Sequence, residues 1–373
     1  MIDSLRVMAT NSWGLIGHDW AVEMLSHNIA NQFLRHAYLL HGIEGIGKQT
    51  LARAFAQALL CEQPMQPGVP CRHCRVCSLI AKQHHSDVIE LHPTVGGNII
   101  KTRSIKIEPI RELNYKISLR PVEAARRVAI LVDFEAANEA AANALLKTLE
   151  EPPGDVIFIL TANSLDTLLP TILSRCELFA LRPLPLAQTQ VALQSNWAAL
   201  PAQAALLAHL AAGRLGWAVS VLQQPAILER RQQYIADLHH LLSARLVARF
   251  AFAEKIASDS EILYEMLTHW LSWWRDALLL ANGLLVSDLP SSLNPAVAVS
   301  ATGAITNVDD LPRLRAAATQ IPMSQLASTL TTVQTALSQL ERNINPRLLC
   351  EVLLLEWPYL KEALDTAPSP LHA

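Results

Sequence analysis

One stretch constrains this chain more than any other. Residues 42–48 read Gly-Ile-Glu-Gly-Ile-Gly-Lys, with a short apolar run at 37–40 just before them and a helically periodic segment just after. A phosphate-cradling loop has the form G-x-x-x-x-G-K-[ST], and Gly42, Gly47 and Lys48 fit it. Strand, glycine loop, helix is the context that gives such a motif meaning. It requires an α/β unit whose helix N-terminus aims backbone N–H groups and a partial positive charge at an anion. The next position departs from the pattern. Gln49 stands where a Ser or Thr hydroxyl should hold magnesium, and Thr50 lies about 100° further around the helix. The expectation is a degenerate nucleotide site of Gly42, Gly45, Gly47, Lys48 and Thr50, in which hydrolysis is disfavoured and ATP binding is left open.

The rest of such a site has to come from later strands. Residues 128–132 form a continuous apolar run ending in Asp133, as when a buried parallel strand delivers a carboxylate to its C-terminal edge. This is the Walker B position, and Asp133 joins the degenerate nucleotide site. Phe134 follows where a working ATPase has a water-polarising glutamate, and Glu135 one residue on would face the opposite side of a strand. Residues 156–160 read as another buried strand, with Asn163 just beyond it as a turn residue or a group that orients water or phosphate. An Ala-rich helix over 136–151, stopped by Pro152-Pro153, lies between them. A further helix over 20–33 carries Ala21, Leu25, Ile29 and Phe33 on one stripe. Strand-then-helix alternation over 37–181 implies a parallel sheet with helices on both faces.

Four of the six cysteines interrupt this unit: Cys61, Cys71, Cys74 and Cys77, spaced C-x9-C-x2-C-x2-C. Close-spaced thiolates suit tetrahedral zinc, and a closed set of four makes the ion structural rather than hydrolytic. His73, His84 and His85 are near enough to substitute. Buried or redox thiols are the competing reading. Disulfides are not expected, since residues 1–13 have no signal-peptide core and the chain reads as cytoplasmic. Between Lys101 and Arg127 eight basic residues alternate with Glu108, Glu112 and Glu123, more a solvated, ion-paired helix side than a nucleic-acid face. A net charge of -3 argues against a wholesale nucleic-acid coat and leaves any DNA contact local or shared with partners.

Pro183 and Pro185 mark a boundary. Helices are expected over 189–212 and 216–223 around an Ala-Gly-Arg-Leu-Gly turn, and an all-helical section over about 240–364. Trp270, Trp273 and Trp274 there read as core rather than as base-stacking groups. The apolar stretches 277–286 and 348–355 are too short to span a membrane. Residues 365–373 read as a frayed tail.

At this point the residues resemble the clamp-loader branch of the AAA+ family. The likeness is carried by residues 143–153, Asn-Ala-Leu-Leu-Lys-Thr-Leu-Glu-Glu-Pro-Pro, by the triplet Ser174, Arg175, Cys176, and by the cysteines between the loop and the Walker B strand. Trp273-Trp274-Arg275-Asp276 and residues 345–349 extend it. The resemblance implies three domains: 1–182 as an AAA+ domain with a zinc insert at 61–77, 183–240 as a helical lid, and 241–373 as an all-α collar for oligomerisation. It implies a hetero-oligomeric loader that closes a sliding clamp on primed DNA, with gamma or tau type motor subunits and a delta subunit as partners. Arg175, flanked by Ser174 and Cys176, would act in trans as an arginine finger on a neighbour's ATP; the plain alternative is an ion pair with Asp166 or Glu177. Gln49, Phe134 and Gly216, the last at the position of a lid arginine, depart from the motor pattern and favour a non-motor subunit. An active ATPase motor is the alternative.

Overall fold

The computed structural model describes residues 10–96, 102–283, 305–341 and 344–360. They form two compact units, the first from residues up to 198 plus 213–217, the second from 199–212 and the described residues beyond 217. Lys101 and the tail at 365–373 lie outside the described residues, as does part of the 277–286 stretch.

The first unit is built on five parallel strands in the order β2-β5-β6-β1-β7: β1 (Ala37–His41), β2 (Val88–Leu91), β5 (Arg127–Leu131), β6 (Val156–Ala162) and β7 (Glu177–Ala180). A short antiparallel pair, β3 (Thr94–Gly96) and β4 (Thr102–Ser104), lies outside that sheet. Both faces of the main sheet are covered, and this explains why its inner strands β1, β5 and β6 read as apolar runs. Tyr38, Leu40, Val128, Ile130, Ile157 and Ile159 point into one core with α1 (Asp19–Ala30), α2 (Lys48–Leu60) and α3 (Arg75–Ala81). Their neighbours Ala37, Leu39, Ala129, Leu131, Phe158 and Leu160 point into the other with α4 (Ile107–Ser118), α5 (Glu139–Glu150) and α6 (Pro170–Leu173). The period-two alternation of a strand is thus intact, with apolar groups on both sides.

Three expectations shift. The first helix ends at Ala30, so Phe33 falls off its stripe and is 72% exposed, while Ala21 and Leu25 are buried. The helix expected over 189–212 is two, α7 (Leu186–Trp197) and α8 (Pro201–Ala211), because Ala198 turns left-handed at φ 52° and Pro201 starts a new first turn. In the basic stretch, Lys116 fits the expected solvated, ion-paired helix side, but Arg127 is buried. Lys116 pairs with Glu112 at 2.7 Å, and the buried Arg127 guanidinium donates to the carbonyls of Lys116 and Arg120 at the end of α4. Nearby, the Asp87 carboxylate, fully buried, accepts the backbone N–H groups of Val122, Glu123 and Ala124 at 2.8–2.9 Å.

The second unit is helical in its described residues. After α9 (Leu215–Gln223) come α10 (Ala226–Ser243), α11 (Leu246–Ile256) and α12 (Ser260–Ala281), then helices Leu311–Gln320, Met323–Glu341 and Pro346–Leu355. Trp270, Trp273 and Trp274 are each at most 1% exposed, which makes them core rather than a stacking platform. The Trp273 indole donates to Asp310, and Trp270 and Trp274 pack around Trp357. Arg249 of α11 is buried and, among the described residues, pairs with no carboxylate; its guanidinium donates to the carbonyls of Leu241, Leu354, Trp357 and Pro358. Those carbonyls include the C-terminal ends of two helices, where partial negative charge favours a cation. Among the described residues no helix is long and apolar enough to cross a membrane.

Candidate functional site: a phosphate-type loop, an arginine turn and a four-cysteine loop

The loop at 42–48 leaves the C-terminal end of β1 and runs into α2. Gly47 caps that helix at φ 108°, a left-handed conformation that a residue with a Cβ takes up only under strain. Lys48 is 6% exposed, and its ammonium donates to the Gly42 carbonyl at 2.7 Å, the Ile43 carbonyl at 3.2 Å and Asn163 Oδ1 at 2.7 Å. An ammonium has three N–H donors, and each here has an acceptor. Burial lowers the Lys48 pKa from its ordinary value.

Asn163 is the hinge of this cluster. Its backbone N–H and its side-chain amide both donate to Glu135 Oε1, at 2.9 and 2.6 Å. Glu135 therefore faces the loop rather than away from it. The strand argument fails because β5 ends at Leu131, Asp133 is left-handed at φ 47°, and residues 134–136 form a 3-10 turn that brings the carboxylate back. Phe134 is buried in the sheet core, and burial raises the Glu135 pKa. Asp133 takes its place at the strand edge with its backbone N–H on Thr161 Oγ1 at 2.9 Å. Gln49 is half-buried and Thr50 exposed, both in the first turn of α2.

The loop is also covered. Gly216 donates its N–H to the Gly45 carbonyl at 2.8 Å, and a Cβ on Gly216 would stand 2.8 Å from that same oxygen. A side chain there, arginine included, requires the loop to move. On another side, His18 Nε2 lies 2.9 Å from the Ile46 carbonyl.

Arg175 follows α6 in a tight turn. Its Nη1 donates to the Thr171 carbonyl at 2.8 Å and to Ser174 Oγ at 3.3 Å, while Nη2 pairs with Glu150 Oε1 at 2.7 Å. The partner is thus Glu150, not Asp166 or Glu177. Ser174 donates its own hydroxyl to the Thr171 carbonyl, which leaves its lone pairs to the arginine. Cys176 packs against the sheet core, and burial pushes its thiol up to about 12. The triplet divides into a support, a projecting cation and an anchor.

Cys61, Cys71, Cys74 and Cys77 bring their Sγ atoms within 4.8 Å of one another. The backbone N–H groups of Cys71, Cys74 and Cys77 point at the sulfurs of Cys61, Cys71 and Cys74, at 3.3, 3.3 and 3.4 Å. Burial opposes ionisation of Cys71, but such donors outweigh it and bring its thiol to about 7; burial pushes Cys77 up. His85 is engaged elsewhere, its Nδ1 accepting from the Asp87 N–H, and His73 Nδ1 lies on the Cys71 carbonyl. The loop between the first two cysteines is fastened by Gly68, whose carbonyl accepts from the Trp13 indole at 2.8 Å and the Ser26 hydroxyl at 3.1 Å.

A parallel sheet with a glycine loop and a buried lysine after an inner strand, near a strand-end carboxylate, has the form of a P-loop unit. Comparison with known proteins narrows this. A family model described as DNA polymerase III, delta subunit, matches residues 17–185. A DNA polymerase III subunit delta prime of Pseudomonas aeruginosa is 34% identical over 244 residues, 64% of this chain and 70% of that one. With that relative, the chain belongs to the delta prime family of DNA polymerase III subunits. The Escherichia coli delta prime subunit is 36% identical over 189 residues, 50% of this chain and 54% of that one. A gamma subunit of Buchnera aphidicola is 36% identical over 168 residues, 45% and 44%. The chain thus spans about half the length of these last two relatives. A solved gamma subunit-related protein of Thermotoga maritima is 18% identical and covers 92% of this chain and 99% of its own, with a TM-score of 0.43, too loose a likeness to build on.

Proposed function

We propose that this chain is a non-motor subunit of the DNA polymerase III clamp loader that lends Arg175 to the ATP site of a neighbouring motor subunit. The observation that carries the reading is a contrast between two cations. Lys48 is sealed off with its three donors taken by its own loop and by Asn163, whereas the Arg175 side chain is 32% exposed and uses three of a guanidinium's five N–H donors. A planar, permanently charged fork at a surface turn suits a γ-phosphate presented from outside. On this reading the complex includes gamma or tau type motors and a delta subunit, and it loads a sliding clamp on primed DNA. Residues 183–240 act as lid and 241–373 as collar.

Replacing Arg175 with alanine in a reconstituted loader lowers clamp-stimulated ATP turnover and leaves assembly intact. Unchanged turnover refutes the role. The similarity to gamma subunits favours one alternative, an active motor. That alternative predicts magnesium-dependent ATP hydrolysis by the isolated chain, abolished by Lys48→Ala.

The same reading gives the four cysteines a structural zinc ion. Four sulfurs already grouped, with backbone N–H groups aimed at three of them, fit four thiolates around one cation. Zinc would supply a cross-link there, with no coordination position left open for chemistry. Cys61, Cys71, Cys74 and Cys77 would hold it, and Gly68 would pass the constraint to Trp13 and Ser26.

A further inference from the structure

Two stretches that lie well apart in the sequence, residues 143–153 and the triplet 174–176, meet at one contact. Glu150 is the last residue of α5, which stops there because Pro152 and Pro153 cannot continue it. Its carboxylate is left at the helix's C-terminal end, 2.7 Å from Arg175 Nη2. The other Nη group, Nη1, donates to the Thr171 carbonyl, in the short helix α6 that precedes the turn. One carboxylate, carried at the end of α5, and one backbone carbonyl of α6 therefore hold the cation from two sides.

We propose that Glu150 is the positioning residue for Arg175, fixing the direction in which the guanidinium leaves the turn. This inference rests on the reading of Arg175 as a trans-acting finger. A long side chain at a surface turn otherwise samples many rotamers, and orientation errors of about 1 Å weaken transition-state contacts by factors near 100. Glu150 restrains the side chain without occupying it. One carboxylate oxygen takes one Nη2 hydrogen, two N–H donors remain, and the pair stays open to water, with side-chain exposures of 32% and 45%. A water-exposed pair is weak enough to give way to a phosphate. Ser174 completes the support through Thr171.

The test is a double-mutant cycle in the reconstituted loader with its clamp and DNA, following the neighbour's ATPase. Glu150→Ala is expected to lower kcat by about 5- to 20-fold with KM for ATP unchanged, because the contact tightens as charge develops on the γ-phosphate. Glu150→Gln keeps an acceptor oxygen in the same place and is expected to recover most of that loss, which also controls for folding. The variant lacking both Glu150 and Arg175 should match Arg175→Ala alone, since Glu150 acts only through the arginine. Wild-type or raised kcat in Glu150→Ala overturns the inference, and so does a double variant slower than Arg175→Ala. If Arg175→Ala itself has no effect, the finger reading fails first, and the two failures are told apart.

Discussion

Replacing Gly216 with alanine tests whether the phosphate-type loop is held shut from outside. The new methyl group would stand 2.8 Å from the Gly45 carbonyl oxygen, and ordinary contact begins near 3.4 Å, so loop and helix must separate by about 0.6 Å. That stretch takes the Gly216 N–H to Gly45 O bond from 2.8 Å to about 3.4 Å, past useful length, at a cost of roughly 1 kcal/mol. Overpacking adds about 1–3 kcal/mol. Against this, alanine favours the first turn of α9 by up to about 1 kcal/mol. The net is a loss of about 1–3 kcal/mol, or roughly 5 °C in Tm for a unit of this size. Thermal unfolding measures it, and hydrogen exchange at Gly216 and its neighbours should show faster opening. A Tm equal to or above wild type would mean that helix propensity wins and the loop is not held by this contact.

Two further outcomes follow from the first unit. Donors from three consecutive backbone N–H groups outweigh burial and keep the Asp87 pKa below the ordinary carboxylate range. Its contribution is therefore complete above the unfolded value, about 3.9, and is lost as pH falls through the lower folded value. Asp87→Asn should cost about 3 kcal/mol at neutral pH and flatten the acid limb of a stability-versus-pH curve; an unchanged limb contradicts the assignment. Stripping metal with a chelator should lower Tm by on the order of 5 °C and release one zinc per chain. The drop should shrink in Trp13→Phe, which already lacks the indole bond to Gly68; a metal-free chain with unchanged Tm contradicts the structural role.

Much of the first unit was legible because its signals are local. A glycine loop after an apolar run, period-two apolar strands and close-spaced cysteines each depend on a few adjacent residues. The sheet order adds only what parallel connections allow. What escaped depends on backbone geometry or on distant partners. Glu135 was misplaced because strand periodicity was carried past Leu131, where a left-handed Asp133 and a 3-10 turn reverse the direction of the side chain. Asn163, by sequence a turn residue or a group that orients water or phosphate, links Lys48 to Glu135 across 115 and 28 residues. Gly216 was noted for the arginine it lacks, whereas its Cα is what the packing uses. The pairing of Glu150 with Arg175 had no sequence signal beyond both lying in stretches that carried the resemblance.

The carbonyl cage around Arg249 has a consequence for the order in which the chain becomes a protein. Three of its acceptors, on Leu354, Trp357 and Pro358, lie 105–109 residues downstream of the guanidinium. During synthesis at about 5–20 residues per second, that charge waits several seconds for the oxygens that make its burial tolerable. Until they emerge, α11 cannot close over its side of the core without stranding a cation. The helical unit is therefore timed by the last of its described helices, and a ribosome that stalls before residue 354 leaves behind a chain that cannot finish folding there.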